Sequence, residues 1–559
     1  MLLLLLLLAA PLPHGGQYQP PEPDHAVTPE VQGIVAQPGL GPELVFEPSR
    51  WEWWFDFNQE LLLRLRSRLA RSASAAGGTP YQPVSDDLRT SAVLPALVEA
   101  VRPEPQVVAG IRRSPNPRDV RSAAVLAMGR LQRPEAVPYI ELVAENDPDL
   151  FVRTQAVLAL GFSGSPNAAE TLSRIYRNDD QDAEIRTYAA AGLGLIGNAQ
   201  AIDVLRAGLT EKALSAQNNQ LRAGSLYAAG LPADPVLGAA LRDLSSTWLY
   251  EKEPQLRAVI GMSLGRVADP ESRALLMQLL EDPDTQVRRS AAAGLGAVGE
   301  QLDADAIQLM IARYADESDS AVRTNLLHAL GRARQPESRA WLRSTFESAT
   351  FEYRPHAALA LGMDGDPGNT AVLLEALAEL REESTVAATV LALGLLEDDA
   401  ATDELLARLE SARAPFLRGY LCLALGLINP PRPELAAQLD AFVREENDIE
   451  LIRWALIGLG LVGARDRIDG LAADVPALGG TVRRAAVLHG LGLVGDSATV
   501  APLLAVFRDA QQPDYVRTYA LQALGELTDP RNLSPAGRLS QFVELNHEVG
   551  FIFELYRVL

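Results

Sequence analysis

Cysteine is almost absent: Cys422 is the only one in 559 residues. A lone thiol excludes an intrachain disulfide framework and any multi-cysteine metal site, and its setting in LCLALG predicts a small buried hydrophobe. Aromatic residues are scarce too, 6% of a chain that is 48% hydrophobic. That disfavours a sandwich or barrel and favours closely packed helices. Positive charge is in deficit, with fifty Lys and Arg against seventy-two Asp and Glu, a net charge of -22. Such a surplus repels nucleic-acid phosphates and anionic lipid headgroups, so nucleic acid is not expected as a partner. No segment after the N-terminus is long and uncharged enough to be transmembrane, so no membrane span is expected.

The N-terminus reads MLLLLLLLAAPLPHGG. Its apolar run, Leu2 to Ala10, is about half the ~20 residues that span a bilayer and has the length of a signal-peptide core. No Lys or Arg precedes it, and Pro11 follows the small residues Ala9 and Ala10. The expectation is a signal peptide over 1–16 and an exported protein, periplasmic or in the cell envelope. Residues 17–48 are Pro-rich without hydrophobic periodicity, which predicts an extended tether. Over 49–71, Trp51, Trp54, Phe55, Leu61, Leu62, Leu65 and Leu69 recur at helical spacing and predict an amphipathic helix. Residues 72–87 are rich in Ser, Ala, Gly and Pro and read as a loop.

Residues 189–198, AAAGLGLIGN, contain the G-x-G-x-x-G string of dinucleotide sites. The string recurs at Gly294, Gly458 and Gly490, with no strand pattern before any of them. It belongs to a repeat. VRSAAVLAMG (120–129), VRTQAVLALG (152–161) and VRRSAAAGLG (287–296) are three of thirteen such units, each ending in Gly. Twelve carry Arg near the start, eight residues before the Gly except in IRWALIGLG (452–460), where the offset is seven. In one unit Val386 replaces the Arg. From Arg121 to Arg517 the mean period is about 33 residues, enough for two short helices and their turns.

Residues 271–300 show one unit's chemistry. Leu275, Leu276, Leu279 and Leu280 form the apolar stripe of a first helix, Pro283 stops it, and Asp284 is placed to cap a second helix that buries Val287 and Ala291. Asp149, Asp182 and Asp319 hold the same station. An Arg present at nearly every step is structural, positioned to reach the cap carboxylates or loop carbonyls of the next unit as a ladder. The Gly positions specify close helix packing, and the last Gly, where present, suits a left-handed C-terminal cap.

The pattern D-P-D-x-x-V-R-x-x-A-x-x-A-L-G-x-x-G, as at Asp282 to Gly299, resembles the HEAT-like repeats named for the phycobilisome lyases. WEWWFDFN (51–58) and the C-terminal LSQFVELNHEVGFIFELYRVL resemble the ends of exported HEAT-repeat proteins of planctomycete-type bacteria. The resemblance implies an all-α fold, a right-handed α-α superhelix of about thirteen two-helix repeats over 88–530. The Trp-rich helix would cap its first repeat and 531–559 its last. Stacking at ~9–10 Å per layer predicts a curved rod on the order of 120 Å.

Functional candidates must stand out from this periodicity. Trp51, Trp53, Trp54, Phe55 and Phe57 put five aromatics within seven residues, and Trp51, Trp53, Trp54 and Phe57 are the partner-binding candidates should they be exposed. The alternative, favoured here, is a cap over the first repeat's bare apolar face. A HEAT-repeat di-iron hydroxylase would need several His-Glu pairs, and the sequence has one, His547-Glu548. His328 and His489, each three residues before a repeat Gly, read as core or groove histidines. No catalytic residue, cofactor or metal is assigned. The expected function is a non-catalytic scaffold presenting a concave, acidic groove to a protein or peptide; the alternative is a lyase-like or regulatory enzyme domain. Acid, base or His side chains clustered at one place in the groove would favour the enzyme.

Overall fold

In the computed structural model the described residues are 50–72, 81–102, 106–108, 111–113, 116–429 and 433–540. The leader, the tether and most of the C-terminal segment expected above lie outside them.

Thirteen helical hairpins follow one another. Their second helices are Arg118–Arg130, Leu150–Phe162, Ala183–Ile196, Asn219–Gly230, Pro254–Val267, Thr285–Val298, Ser320–Ala333, Arg354–Asp364, Glu383–Leu396, Pro415–Ile428, Ile449–Leu461, Thr481–Val494 and Asp514–Thr528, called here the inner helices of repeats 1 to 13. The all-α expectation has one small exception. An antiparallel hairpin of β1 (Gln106–Val108) and β2 (Ile111–Arg113) lies between the two helices of repeat 1. Its sequence, VVAGIRR between prolines, carries a hairpin signal that the helical period overshadowed.

Many of the inner helices start and stop by the expected devices. Asp149 accepts a hydrogen bond from Phe151 N at 2.9 Å, Asp182 from Glu184 N at 2.8 Å, and Asp319 from Val322 N at 2.9 Å. Satisfying an otherwise unpaired first-turn N–H contributes about 1 kcal/mol per cap. At the other end Gly197 (φ 59°) takes the left-handed conformation, and so does non-glycine Ala268 (φ 58°).

The recurrent Arg does form a ladder. Arg121 donates to Asp147 at 2.8 and 2.9 Å, Arg257 to Asp282 at 2.8 and 3.1 Å, and Arg288 to Glu317 at 2.8 and 3.1 Å. Each carboxylate sits in the loop of the following repeat and also accepts the backbone N–H of that repeat's cap residue, Asp149, Asp284 or Asp319. One guanidinium thus ties a helix start to the next loop, a bidentate geometry that lysine cannot reproduce. Not every Arg reaches the next repeat: Arg186 stays within its own, donating to Tyr176 O at 3.0 Å and pairing with Asp179 at 2.8 Å.

The small residues let the inner helices touch backbone to backbone. A Cβ added at Gly161 would lie 2.4 Å from Gly192 Cα, and one at Gly265 2.4 Å from Gly294 Cα. The outer helices carry bulkier side chains and pack less closely on each other. That difference makes every hairpin a wedge, narrow inside.

Thirteen wedges close a circle. The inner helix of repeat 13 packs along that of repeat 1 as closely as sequence neighbours pack. The same joint is used: a Cβ on Gly525 would lie 2.9 Å from Ala127 Cα. Arg130 Nη1 is 3.5 Å from Glu526 Oε1 across the seam, and Arg517 donates to Asn116 Oδ1 at 3.2 Å. The curved rod is therefore corrected to a ring, because a mean turn of about 28° per repeat completes a full rotation over thirteen repeats.

Closure leaves no bare end for the Trp-rich helix to cover. It forms α1 (Trp51–Leu63), a left-handed turn at Arg64 (φ 43°), and α2 (Leu65–Ser72). Both lie inside the ring, α1 against the inner helices of repeats 8 and 9 and α2 against those of repeats 11 and 12. A third short helix, α3 (Pro535–Ser540), enters from the other end of the chain and packs on α1. Arg538 of α3 donates to Leu195 O and Leu231 O of repeats 3 and 4 at 3.1 and 2.6 Å, and Arg531 just before it donates to Phe162 O of repeat 2 at 2.7 Å.

Candidate functional site in the ring interior

The aromatics of α1 are the filling of the ring. Trp51, Trp53, Trp54 and Phe57 are 1%, 6%, 7% and 8% exposed, so the four partner-binding candidates are turned to the chain itself rather than to its surface. Trp51 Nε1 donates to Ser384 Oγ of repeat 9 at 2.8 Å, and its ring lies 4.9 Å from that of Tyr420 of repeat 10. Phe55 meets Trp454 of repeat 11 at 5.8 Å between centroids. Trp54 stacks on His328 of repeat 7 at 3.8 Å, and His328 Nε2 is 3.1 Å from Nδ1 of His356. Burial holds His328 well below the usual histidine range, so this imidazole is neutral and behaves as core, as its sequence position implied.

The opposite, polar side of α1 bounds a cavity of about 170 Å³. Asp56, Gln59 and Glu60 of α1, Arg66 of α2, Arg130 of repeat 1, Arg453 of repeat 11, His489 of repeat 12 and Glu526 of repeat 13 line it, with Phe57, Ile457 and Leu493 as an apolar wall. It opens beside the exposed Asn532.

Two sequence stations build the ring's share of this lining. The residue just after a repeat Gly and the residue three before it are four apart, hence stacked on one helix face; at repeat 12 they are His489 and Leu493, both in the cavity wall. At the first station most repeats carry an apolar residue, but repeats 1, 5, 7 and 13 carry Arg130, Arg266, Arg332 and Glu526. Those departures were the available signal for a lumen site. A second was the seven-residue offset in repeat 11. Moving the Arg one position turns it about 100° around the helix, away from the ladder. Arg453 instead stacks on Trp454 at 4.0 Å, donates to Glu450 at 2.7 Å and reaches Asp56 of α1 at 3.4 Å.

Burial sets the protonation states. It raises Glu526 to about 7, with Arg130 working against it. It raises Asp56 as well, opposed by Arg453, and lowers His489 to about 3. His489 Nδ1 lies 3.7 Å from Glu526 Oε2. A Cβ on Gly492 would lie 2.6 Å from that same oxygen, so this glycine is what admits the carboxyl. Cys422 is fully buried and its thiol is pushed up, which leaves no accessible thiolate. Among the described residues no three His, Cys, Asp or Glu side chains converge on a metal-binding point, and no helix is long and apolar enough to cross a membrane.

Tandem helical hairpins joined at small residues and tied by an Arg ladder define an α-solenoid, here closed on itself. The family model for HEAT repeats matches residues 104–183, 140–219, 246–331 and 307–394. The chain carries HEAT repeats over these residues. No curated protein matches it. Similar solved structures include the CpcE–CpcF complex of phycocyanin lyase from Nostoc, 22% identical over 42% of this chain and 91% of that one, TM-score 0.30. Human deoxyhypusine hydroxylase is 20% identical over 47% and 96%, TM-score 0.22. The karyopherin Kap121p, bound to the extreme C-terminus of the phosphatase Cdc14p, is 12% identical over 84% and 56%, TM-score 0.35. Scores this low bear neither on ring closure nor on function.

Proposed function

We propose that this HEAT ring is a non-catalytic interaction scaffold, exported to the periplasm or cell envelope by its apolar leader, and that it binds a protein or peptide on its outer surface. The observation that carries the reading is the filled interior: α1, α2 and α3 occupy the concave side, and guanidinium and carboxyl groups together line the cavity beside them. The open acidic groove of a curved rod has no place in this geometry. Contact surface must therefore lie outside, and apolar exposure there is concentrated. Of eight exposed large apolar side chains among the described residues, Tyr139, Leu142, Leu150 and Phe151 fall within residues 139–151 of repeat 2. Clustered exposed apolar residues of this kind mark docking surfaces. The net charge of -22 selects against acidic partners.

The test is a photo-crosslinking amino acid placed at Leu142, because Lys212 and Lys252 are the only lysines and amine-reactive reagents would sample little of the surface. A discrete protein adduct at Leu142 that is lost when Y139E and F151E are introduced beside the probe, and absent when the probe replaces Phe351, supports the reading. Equal adducts at both sites, or none, would overturn it. One observation favours a second reading, small-molecule chemistry in the lumen: Asp56, His489 and Glu526 share a single cavity. Turnover of a small molecule by the purified chain, with no protein neighbour recovered, would replace the scaffold by that alternative.

A further inference from the structure

We propose that the cavity between α1, α2 and the inner helices of repeats 11, 12, 13 and 1 binds a small organic acid, its carboxylate held by Arg66 and Arg130 and its apolar body against Phe57, Ile457 and Leu493. This inference is independent of the scaffold reading, which concerns the outer surface.

Three features carry it. The first is size. At about 170 Å³ the cavity exceeds by roughly tenfold the ~10–15 Å³ that admits one water, so it takes a compact organic molecule. The second is charge. Glu60 is committed to Ser534, accepting from its N at 2.9 Å and its Oγ at 2.8 Å. Asp529 is held by Arg531 at 2.7 Å through two nitrogens, and Arg453 is engaged by Glu450 and Asp56. What remains is Arg66, which donates one N–H to the Glu526 carbonyl oxygen, and Arg130, whose nearest carboxylate oxygen stands at 3.5 Å. Ser534 leaves Glu60 charged, so Arg66 and Arg130 face two carboxyl groups, Glu60 and Glu526, and an entering anion finds a positive balance when Glu526 is protonated. The third is the wall. Apolar lining in the same cavity as a guanidinium pair suits a carboxylate with a hydrocarbon body better than inorganic phosphate, which would leave the apolar side chains uncovered.

Glu526 makes binding pH-dependent. It is faced by Arg130 of repeat 1, Arg66 of α2, Glu60 of α1 and the neutral His489 of repeat 12. Below its value of about 7 the protonated carboxyl can donate to a bound carboxylate; above it, the carboxylate repels the ligand.

Isothermal titration of the full chain with hexanoate and, separately, with inorganic phosphate tests this. Hexanoate should bind saturably at pH 6 and roughly tenfold more weakly at pH 8, and R66Q and R130Q should each weaken it about tenfold or more. E526Q, uncharged throughout, should bind equally at both pH values. Because Arg130 also crosses the ring seam, R66Q on α2 serves as the variant outside the seam, with circular dichroism confirming the fold of each. The proposal falls if hexanoate gives no saturable heat at either pH, if phosphate binds as tightly, or if correctly folded R66Q and R130Q bind like the parent.

Discussion

The seam between repeats 13 and 1 can be opened by one methyl group. In Gly525→Ala the new Cβ would sit 2.9 Å from both Cα and Cβ of Ala127 and 3.5 Å from Arg130 Cδ. The two inner helices must then separate by more than half an ångström to restore ordinary contact. Overpacking of this kind costs ~1–3 kcal/mol, offset by up to ~1 kcal/mol from the better helix propensity of Ala, for a net loss of about 1–2 kcal/mol. Gly265→Ala creates a tighter clash, 2.4 Å from Gly294 Cα, between repeats 5 and 6, which the chain also joins covalently. Gly261→Ala is the control, since its Cβ would meet nothing closer than Leu279 Cδ1 at 3.5 Å. The expected difference is one of kind. G525A relieves its strain by parting the seam, so small-angle scattering should show a larger radius of gyration with helicity retained. G265A should lower the melting temperature at unchanged dimensions, and G261A should leave the dimensions unchanged and the melting temperature no lower than the parent's. If G525A scatters and melts like the parent, or if G525A and G265A behave alike, the closed ring is refuted.

Glu317, buried between Arg288 and Arg313, is held down to about 2 by their guanidinium hydrogen bonds against the cost of burial. A depressed folded value stabilises above the unfolded value, so its share is complete above pH 4.5 and lost as pH falls toward 2. It amounts to on the order of 2–3 kcal/mol, and acid titration of E317Q should lack that part of the decline. Glu526 has the opposite sign: raised to about 7, it lowers stability as pH climbs from 4.5 to 7, and denaturant midpoints of E526Q should not show this fall. Trp54→Ala removes the ring stacked on His328, at ~3–5 kcal/mol. Hydrogen exchange should quicken in residues 51–63 while the inner helices keep their protection, and uniform loss of protection would mean that α1 is integral to the ring rather than docked in it.

Local order was legible in the sequence and global order was not. The cap at Asp149, the ladder from Arg121 to Asp147 and the touching of Gly161 and Gly192 each involve one repeat and its neighbour, so a period of about 33 residues carries them. Closure depends on the sum of thirteen small rotations, and a few degrees' change in each would leave a gap that no single residue announces. The site inherits that difficulty. Asp56 and Arg130 lie more than three hundred residues from Arg453 and Glu526 and meet them only because the ring shuts. Their trace was departure from the repeat: charge after the Gly at Arg130 and Glu526, and the displaced Arg453. The helical face drawn through Trp51, Trp54 and Phe55 also understated α1, since Trp53 and Phe57 are buried too, as they must be in a helix enclosed on all sides.

An open solenoid has a first and a last member, each exposing one apolar flank and free to fray. Here the inner helix of repeat 13 lies on that of repeat 1, so the contact between Gly525 and Ala127 differs from the other twelve joints chiefly in having no peptide link across it. The hairpins form a cycle, and the order in which the backbone visits them is separable from how they pack. A chain whose repeats were linked across that seam and cut at another loop, such as the one around Asp282, would rebuild the same circle.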